Sequence, residues 1–420
     1  MKYAITGGHK LSGTIRVSGN KNSVFPCIAA ALLTEEEIIL ENISDLKDTE
    51  ILIQILIKLG IKVTKGASSI KIQASLIKQT TLPKELMVKL RGSIVLVGAI
   101  LARMGKVHFY HPGGDIIGVR SIETHLECLQ NLGANLKRED LKFTLFYPEE
   151  KNNKSYSIFL SEASVTACEN LILSASLSDK KVIIKNCPTE PHIVDLCKML
   201  IQMGANIQGI GTDSLEIEGV NKLRGTKFRI GVDYIEIGTY VVAAAITGGR
   251  VKISGIDSTD LDPVLEPLKR FGIKLERDED GIIASAEKLR SIPKLITNIW
   301  PGFPTDLMSV VIVLATQSNG VTLCHDWMYE SRMFFVDKLI SMGAKITLAD
   351  PHRSLVYGPS KLHGRELATP DIRAGMALVL ASLVARGKSV INQAELIERG
   401  YENVVSKLRS LGAEIEKIEV

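Results

Sequence analysis

The chain lacks any C-x-x-C pair. Its six cysteines (Cys27, Cys128, Cys168, Cys187, Cys197 and Cys324) are scattered, which suggests neither a zinc site nor a disulfide framework and reads as buried thiols. It also lacks an apolar run of the roughly 18–20 residues needed to span a bilayer. The best candidates, residues 93–102 and 376–385, read instead as buried helix cores. The first residues, Met1-Lys2-Tyr3-Ala4-Ile5-Thr6-Gly7-Gly8, hold no apolar signal core, so a cytoplasmic protein without a membrane partner is expected. Charge of one sign is missing too. The net charge is only +4 and no Lys/Arg run stands out, which argues against a dedicated nucleic-acid binder while leaving room for a local anion pocket. What remains is a soluble globular composition, 45% apolar and 23% charged over 420 residues, long enough for two large domains.

One phrase recurs along the whole chain: an apolar residue, Gly, a small or β-branched residue, a polar residue and an apolar one. It stands at Gly60, Gly133, Gly204, Gly272, Gly343 and Gly412, spaced by 73, 71, 68, 71 and 69 residues. Each glycine follows a helix-period stretch, such as 51–59 or 404–411, and suits the left-handed position just past a helix end. A second helix, rich in Ala, Leu and Val, lies earlier in each unit, as at 24–33, 94–103, 239–246, 307–316 and 375–385. A short strand follows it, as at 38–41, 107–110 and 251–254. Each unit therefore reads helix, strand, helix, strand, strand. The phrase from Ile5 to Thr14 returns from Ile217 to Thr226, an offset of 212 residues, or three repeats. Six units then group three and three: residues 21–231 in one domain, which carries the Gly-rich loop 111–120, and residues 1–20 with 232–420 in the other. The strongly apolar helix suits the inside of a domain and the amphipathic one the layer beneath its sheets, so two closed α/β domains are favoured over an open solenoid.

Compact polar clusters precede the apolar helices: Lys21-Asn22, Arg91-Gly92-Ser93, Ser164-Val165-Thr166, Asp233-Tyr234-Ile235-Glu236, Thr305-Asp306 and Asp371-Ile372-Arg373. Helix capping accounts for Ser164, Thr305 and Asp371. It does not account for Lys21, Arg91 or Arg373, because a cation at a helix N-terminus opposes the macrodipole. A bound anion resolves the conflict, and repeat symmetry points to a polyanionic ligand between the domains. The loop His111-Pro112-Gly113-Gly114-Asp115-Ile116-Ile117-Gly118-Val119-Arg120 adds three glycines, which suggest mobility, and a guanidinium able to fork two oxygens. It is no Walker motif, since no Gly-Lys-Ser/Thr follows.

These residues together carry a resemblance. Ser18-Gly19-Asn20-Lys21-Asn22, Pro112-Gly113-Gly114 with Ile117-Gly118 and Arg120, and Glu190-Pro191 with Val194-Asp195 all contribute. So do Phe303-Pro304-Thr305-Asp306, Asp371-Ile372-Arg373 and Arg399-Gly400-Tyr401-Glu402. Over residues 5–415 the chain resembles the UDP-N-acetylglucosamine 1-carboxyvinyltransferase family of enolpyruvyl transferases. The resemblance implies two inside-out α/β barrels of three repeats each, in agreement with the sixfold period. It implies transfer of the enolpyruvyl group of phosphoenolpyruvate to the sugar 3′-hydroxyl, the first committed step of peptidoglycan synthesis, with no cofactor and no metal. Both substrates are small molecules; the oligomeric state is open, with a monomer expected.

The resemblance also assigns residues. Lys21, Asn22, Arg120 and Arg399 are similar to phosphoenolpyruvate-binding positions, and Arg332 and Arg373 to further guanidinium contacts with that substrate or the adduct. Arg91, Arg120, Ser164, Val165, Asp306 and Met328 correspond to nucleotide-sugar contacts. Lys21, Asp115, Asp306 and Arg399 are the implied catalytic set, with Asp306 as the base for the hydroxyl proton. Asp115 stands where many members carry a cysteine that donates a proton and is alkylated by fosfomycin. Its reference pKa is about 3.9 against about 8.5 for cysteine, so donation at neutral pH requires burial or nearby negative charge. Tyr234 replaces a usual arginine and Thr166 a usual glycine, while His125 matches a family histidine near the loop. The nearest rival is the shikimate-pathway enolpyruvyl transferase, whose Gly-Asn-Ala-Gly-Thr stretch is absent here. The non-enzyme rival is a repeat protein that uses its helix ends only to bind an anionic partner.

Overall fold

The computed structural model describes residues 1–114, 117–118, 120–149, 155–256 and 260–419. Contacts divide the chain into two units. One holds residues 1–18 and 232–419 with the described loop residues Ile117 and Gly118; the other holds Gly19–Gly114 and Arg120–Gly231. The first boundary falls at 18/19, two residues before the position read from the repeat, and hydrogen bonding explains why. Ser18 gives its N–H to Glu236 (2.7 Å), accepts the Asp233 N–H on its carbonyl (3.0 Å) and gives its hydroxyl to Glu402 (2.6 Å). From Gly19 onward the partners change: the Gly19 carbonyl accepts from Ser44 (2.6 Å) and Asn20 N–H donates to the Gly231 carbonyl (2.8 Å).

In the 19–231 unit the apolar helices Lys21–Ala30, Leu96–Met104 and Val165–Ala175 pack on one another. In the other unit Tyr234–Ile246, Met308–Gln317 and Ile372–Val384 run through a single core, with every residue of Tyr234–Ile246 buried. A helix apolar on all sides is stable only inside. The amphipathic helices, such as Lys47–Lys58, Pro191–Gln202 and Val404–Ser410, bury one face. The six repeat glycines all follow such helices with positive φ, from 89° at Gly60 to 105° at Gly204. In this region a side chain is penalised and glycine is not.

Each repeat contributes three antiparallel strands, as expected, but most sheets also gain a parallel edge strand that the repeat did not reveal. In the first repeat Glu37–Glu41, Ser69–Gln73 and Lys62–Lys65 are joined by Thr226–Arg229, from the far end of the same unit. The equivalent strand of the other unit, Ser12–Arg16, runs parallel to Arg250–Ser254, and Lys2–Thr6 lies between Lys388–Asn392 and Glu414–Ile418. The 212-residue echo is therefore structural. In each unit the echoed segment joins the last sheet to the first. The sheet Lys106–Tyr110, Lys142–Phe146, Asn135–Glu139 keeps three strands, with a single bridge from Thr81 to His108 in place of the fourth.

Close approach of two inner helices fixes the ends that carry polar residues. Asn170 Oδ1 accepts the Gly98 N–H (2.5 Å), Asn170 Nδ2 donates to the Ile94 carbonyl (3.0 Å), and the Ser174 hydroxyl donates to the Gly98 carbonyl (2.9 Å). A Cβ on Gly98 would lie 2.3 Å from the Asn170 carbonyl oxygen. We expect Gly98→Ala to cost at least about 2 kcal/mol through overpacking, measured by urea unfolding; a loss under about 0.5 kcal/mol, within the range of ordinary surface changes, would show that the two helices separate freely.

Candidate functional site

In the 19–231 unit Lys21 and Arg91 lie at helix starts, while Arg120 stands in a loop. Lys21 opens the helix Lys21–Ala30, whose N-cap Asn20 accepts the Asn22 N–H through its side chain (2.9 Å). The Lys21 ammonium is 6% exposed and pairs with Asp48, 2% exposed, at 2.7 Å; it also lies 5.8 Å from the Phe25 ring centre. The clash between cation and helix dipole is thus met in part by a buried carboxylate of the chain itself. Asp195 ties the same helix to the chain crossing, accepting from the Ser23 hydroxyl (2.7 Å) and the Gly231 N–H (3.2 Å).

The charges of Arg91 and Arg120 both act on a histidine. Arg91 begins the short helix Arg91–Val95 and donates from Nη2 to the Ser121 carbonyl (2.7 Å), next to Arg120. Both guanidiniums act on His125, which is 3% exposed and whose Nε2 meets the Thr166 hydroxyl at 2.8 Å. Burial, then Arg91, pushes the His125 pKa down to about 3, so the ring is neutral and packed. Ser164 is the N-cap of Val165–Ala175, yet its side chain makes no cap hydrogen bond. Both it and Val165 are half-buried. The loop glycines are forced by geometry: a Cβ on Gly113 would lie 1.7 Å from the Val88 carbonyl oxygen. Asp115 lies outside the described residues.

The other unit carries a carboxylate held by two arginines. Thr305–Leu307 is a short helical turn leading into Met308–Gln317. Asp306 Oδ1 accepts from Arg332 Nη2 at 3.0 Å, while Asp306 Oδ2 accepts from Arg373 Nε at 3.0 Å and Nη2 at 2.8 Å. The arginine side chains are 1% and 7% exposed and the carboxylate 28%, so the acid sits at the open edge of a buried cationic pair. Burial, the largest single influence, would lower both guanidinium pKa values; Asp306 together with the other nearby charges, Asp371 and Asp326 at Arg332 and Tyr401 and Asp233 at Arg373, raises them. Arg373 stacks on Tyr401 (5.2 Å) and Arg332 on Tyr329 (5.4 Å). Arg373 Nη1 is buried with no hydrogen-bond partner among the described atoms, and a Cβ on Gly400, beside Arg399, would come within 3.6 Å of it. Asp371 does cap its helix, accepting from Arg373 N (2.9 Å) and Ala374 N (3.0 Å). Thr305 does not cap: its hydroxyl donates to Asp326, which also accepts the Met328 N–H (3.0 Å). Tyr234, at the place of a usual arginine, is buried and packs against Trp300 at 5.1 Å.

Within the units, then, the structure brings Thr166 to His125, on which the Arg91 and Arg120 charges act, and Asp306, Arg332 and Arg373 into one ion cluster. It gives Lys21 a buried partner. Sequence reasoning missed Asp48 and Asp326, the acids behind these clusters, because neither belongs to a recurring phrase. Asp195 lay inside the quoted Val194-Asp195 pair without a role.

Comparison with known proteins assigns the class. Residues 5–408 match the family model described as EPSP synthase (3-phosphoshikimate 1-carboxyvinyltransferase), and the chain belongs to this family of enolpyruvyl transferases. It is 46% identical to the UDP-N-acetylglucosamine 1-carboxyvinyltransferase of Treponema denticola over 99% of each chain. It is 45% identical to that of Borreliella burgdorferi, again over 99% of each, and 42% identical to that of Bradyrhizobium diazoefficiens over 100% of this chain and 98% of the other. Among solved structures it is similar in fold to the enolpyruvyl transferase NikO from Streptomyces tendae. The TM-score is 0.88 at 23% identity, covering 99% of this chain and 98% of that one. EPSP synthase from Acinetobacter baumannii follows with a TM-score of 0.75 at 18% identity, over 99% of each chain.

The buried His125 makes stability depend on pH. Its folded pKa lies below the usual unfolded value of about 6.5, so between the two the unfolded chain binds the extra proton. We expect unfolding free energy to fall by up to about 1.4 kcal/mol per pH unit as pH drops below about 6, and His125→Gln to flatten this slope. Urea titrations at pH 7, 6 and 5 measure it.

Proposed function

We propose that the chain transfers the carboxyvinyl group of phosphoenolpyruvate to the 3′-hydroxyl of UDP-N-acetylglucosamine and releases phosphate, the first committed step of peptidoglycan synthesis, in the cytoplasm. The observation that carries the reading is the likeness over 99% of both chains to a protein of that activity. In this reading Lys21, Asn22, Arg120, Arg332, Arg373 and Arg399 bind phosphoenolpyruvate. Arg91, Arg120, Ser164, Val165, Asp306 and Met328 contact the nucleotide sugar. A substrate with about three negative charges and a departing phosphate both call for preorganised cations. The cluster at Asp306 suits its part: a carboxylate at the exposed edge of two buried guanidiniums lies within reach of an incoming hydroxyl.

The reaction balances as addition then elimination. The hydroxyl oxygen bonds to C2 of phosphoenolpyruvate, its proton passes to Asp306, and C3 gains a proton, assigned to Asp115. The adduct then returns a C3 proton to the Asp115 carboxylate and its C2–O bond breaks, the electron pair leaving with phosphate, to give the enol ether. Phosphate release tests the acceptor. We expect release with UDP-N-acetylglucosamine and none with shikimate 3-phosphate, the acceptor related to the family model's own description. Asp306→Ala should lower turnover by at least about 100-fold, as general base removal does. Release with shikimate 3-phosphate instead would transfer the assignment to that acceptor.

Asp115 gives a separate test. A carboxylate is not the thiolate that opens an epoxide, so stoichiometric fosfomycin should leave the natural chain active and inactivate Asp115→Cys. Inactivation of the natural chain would remove Asp115 from the site.

A further inference from the structure

We infer that Asp326 is the permanent counter-charge of Arg332 and the support of the Thr305–Asp306 turn, a positioning residue for the reaction proposed above. The inference rests on that reading, in which Asp306 accepts the hydroxyl proton. Asp326 follows the strand Gly320–His325 and is 0% exposed. Its backbone is fixed by His352: the Asp326 N–H donates to the His352 carbonyl (2.9 Å), and the Asp326 carbonyl meets His352 Nδ1 at 2.7 Å. The side chain then reaches three neighbours, each of which bears on the site. Oδ2 accepts from the Thr305 hydroxyl, one residue before Asp306. Oδ1 accepts the Met328 N–H at 3.0 Å. Oδ2 also lies 4.0 Å from Arg332 Nε, a nitrogen without a hydrogen-bond partner among the described atoms.

The Arg332 side chain is 1% exposed, and a buried guanidinium needs a carboxylate beside it throughout the reaction cycle. Two carboxylates touch it: Asp306, 28% exposed, and Asp326, fully buried. Asp371, which makes no ion pair with Arg332 within 4.0 Å, also acts on it, more strongly than Asp326, with Tyr329 after both; Arg373 competes for Asp306. Asp306 cannot be the lasting partner, because the proton it receives neutralises it. At that step Asp326 is, among the described residues, the carboxylate left within 4.0 Å of Arg332. Asparagine at 326 would keep the shape and lose the charge, so protonating Asp306 would leave Arg332 with no carboxylate within 4.0 Å among the described residues, Asp371 acting from outside that range, and the proton-accepting step would slow. The Thr305 hydroxyl is the mechanical half of the same device: it links the buried acid to the residue preceding the base.

Steady-state phosphate release, melting temperature and crystal structures of four variants test this. Asp326→Asn should lower kcat at least about tenfold, as loss of a charge-assisted contact does, with the nucleotide-sugar KM within about threefold. Thr305→Val should show the same split, and Thr305→Ser, which keeps the hydroxyl, should restore it. The double variant Asp326→Asn with Thr305→Val should fall little below the worse single, since the two act through one contact. Wild-type kcat in Asp326→Asn, or multiplying effects in the double variant, overturns the inference. So does a loss that moves both KM values and the melting temperature together. If Asp326→Asn does not fold, the Thr305→Val and Thr305→Ser pair decides alone. If the wild-type chain releases no phosphate at all, the functional reading fails by itself. The crystal structures then decide the positioning claim: a displaced Thr305–Asp306 turn in Thr305→Val supports it, and an unchanged turn overturns it.

Discussion

Two guanidiniums are buried around one partly exposed carboxylate, and the chemistry in the 232–419 region depends on that arrangement. Charges removed from water must be paired closely or not ionised at all. Arg332 and Arg373 meet the demand by sharing Asp306 from two directions, at 2.8 to 3.0 Å. The aromatic rings of Tyr329 and Tyr401 cover the guanidinium faces, and Asp371 fixes the backbone from which Arg373 projects. The exposed edge of Asp306 then carries the functional interest, because every other part of the cluster is enclosed.

The same logic explains the other unit. Lys21 sits where the helix dipole disfavours it, yet Asp48 keeps it buried and aimed. Arg91 and Arg120 both act on a histidine whose burial keeps it neutral, so no third positive charge accumulates there. In both units the inner helices are mostly apolar and occupy the core, with polar groups such as Asn170 and Ser174 hydrogen-bonded inside it. Only their ends can hold charged groups, which is why the polar clusters recur at one place in each repeat.

Much of this was legible beforehand. The glycine spacing located the ends of the amphipathic helices, because the left-handed position past a helix end is chemically demanding, and each of the six glycines occupies it. The echo between residues 5–14 and 217–226 marked how each unit closes, since both copies form strands in the last and first sheets. The parallel edge strands were not legible. Thr226–Arg229 and Lys294–Ile296 are short and half-exposed, and their identity as strands comes from partners distant in sequence. The capping assignments divided in the same way. Asp371 caps as its local pattern suggests, whereas Thr305 turns to Asp326, a residue 21 positions away, and Ser164 makes no cap bond.

Sequence alone determined what is set within a few residues or repeated along the chain. That includes helix periodicity, the glycines that end helices, and the cations placed against the helix dipole. Tertiary structure decided which carboxylate answers each cation: Asp48 for Lys21, and Asp306 with Asp326 for Arg332. The reason is physical. Local pattern follows from backbone sterics and the period of one element, while a buried charge is satisfied by whichever group the packing of distant elements brings within about 3–4 Å.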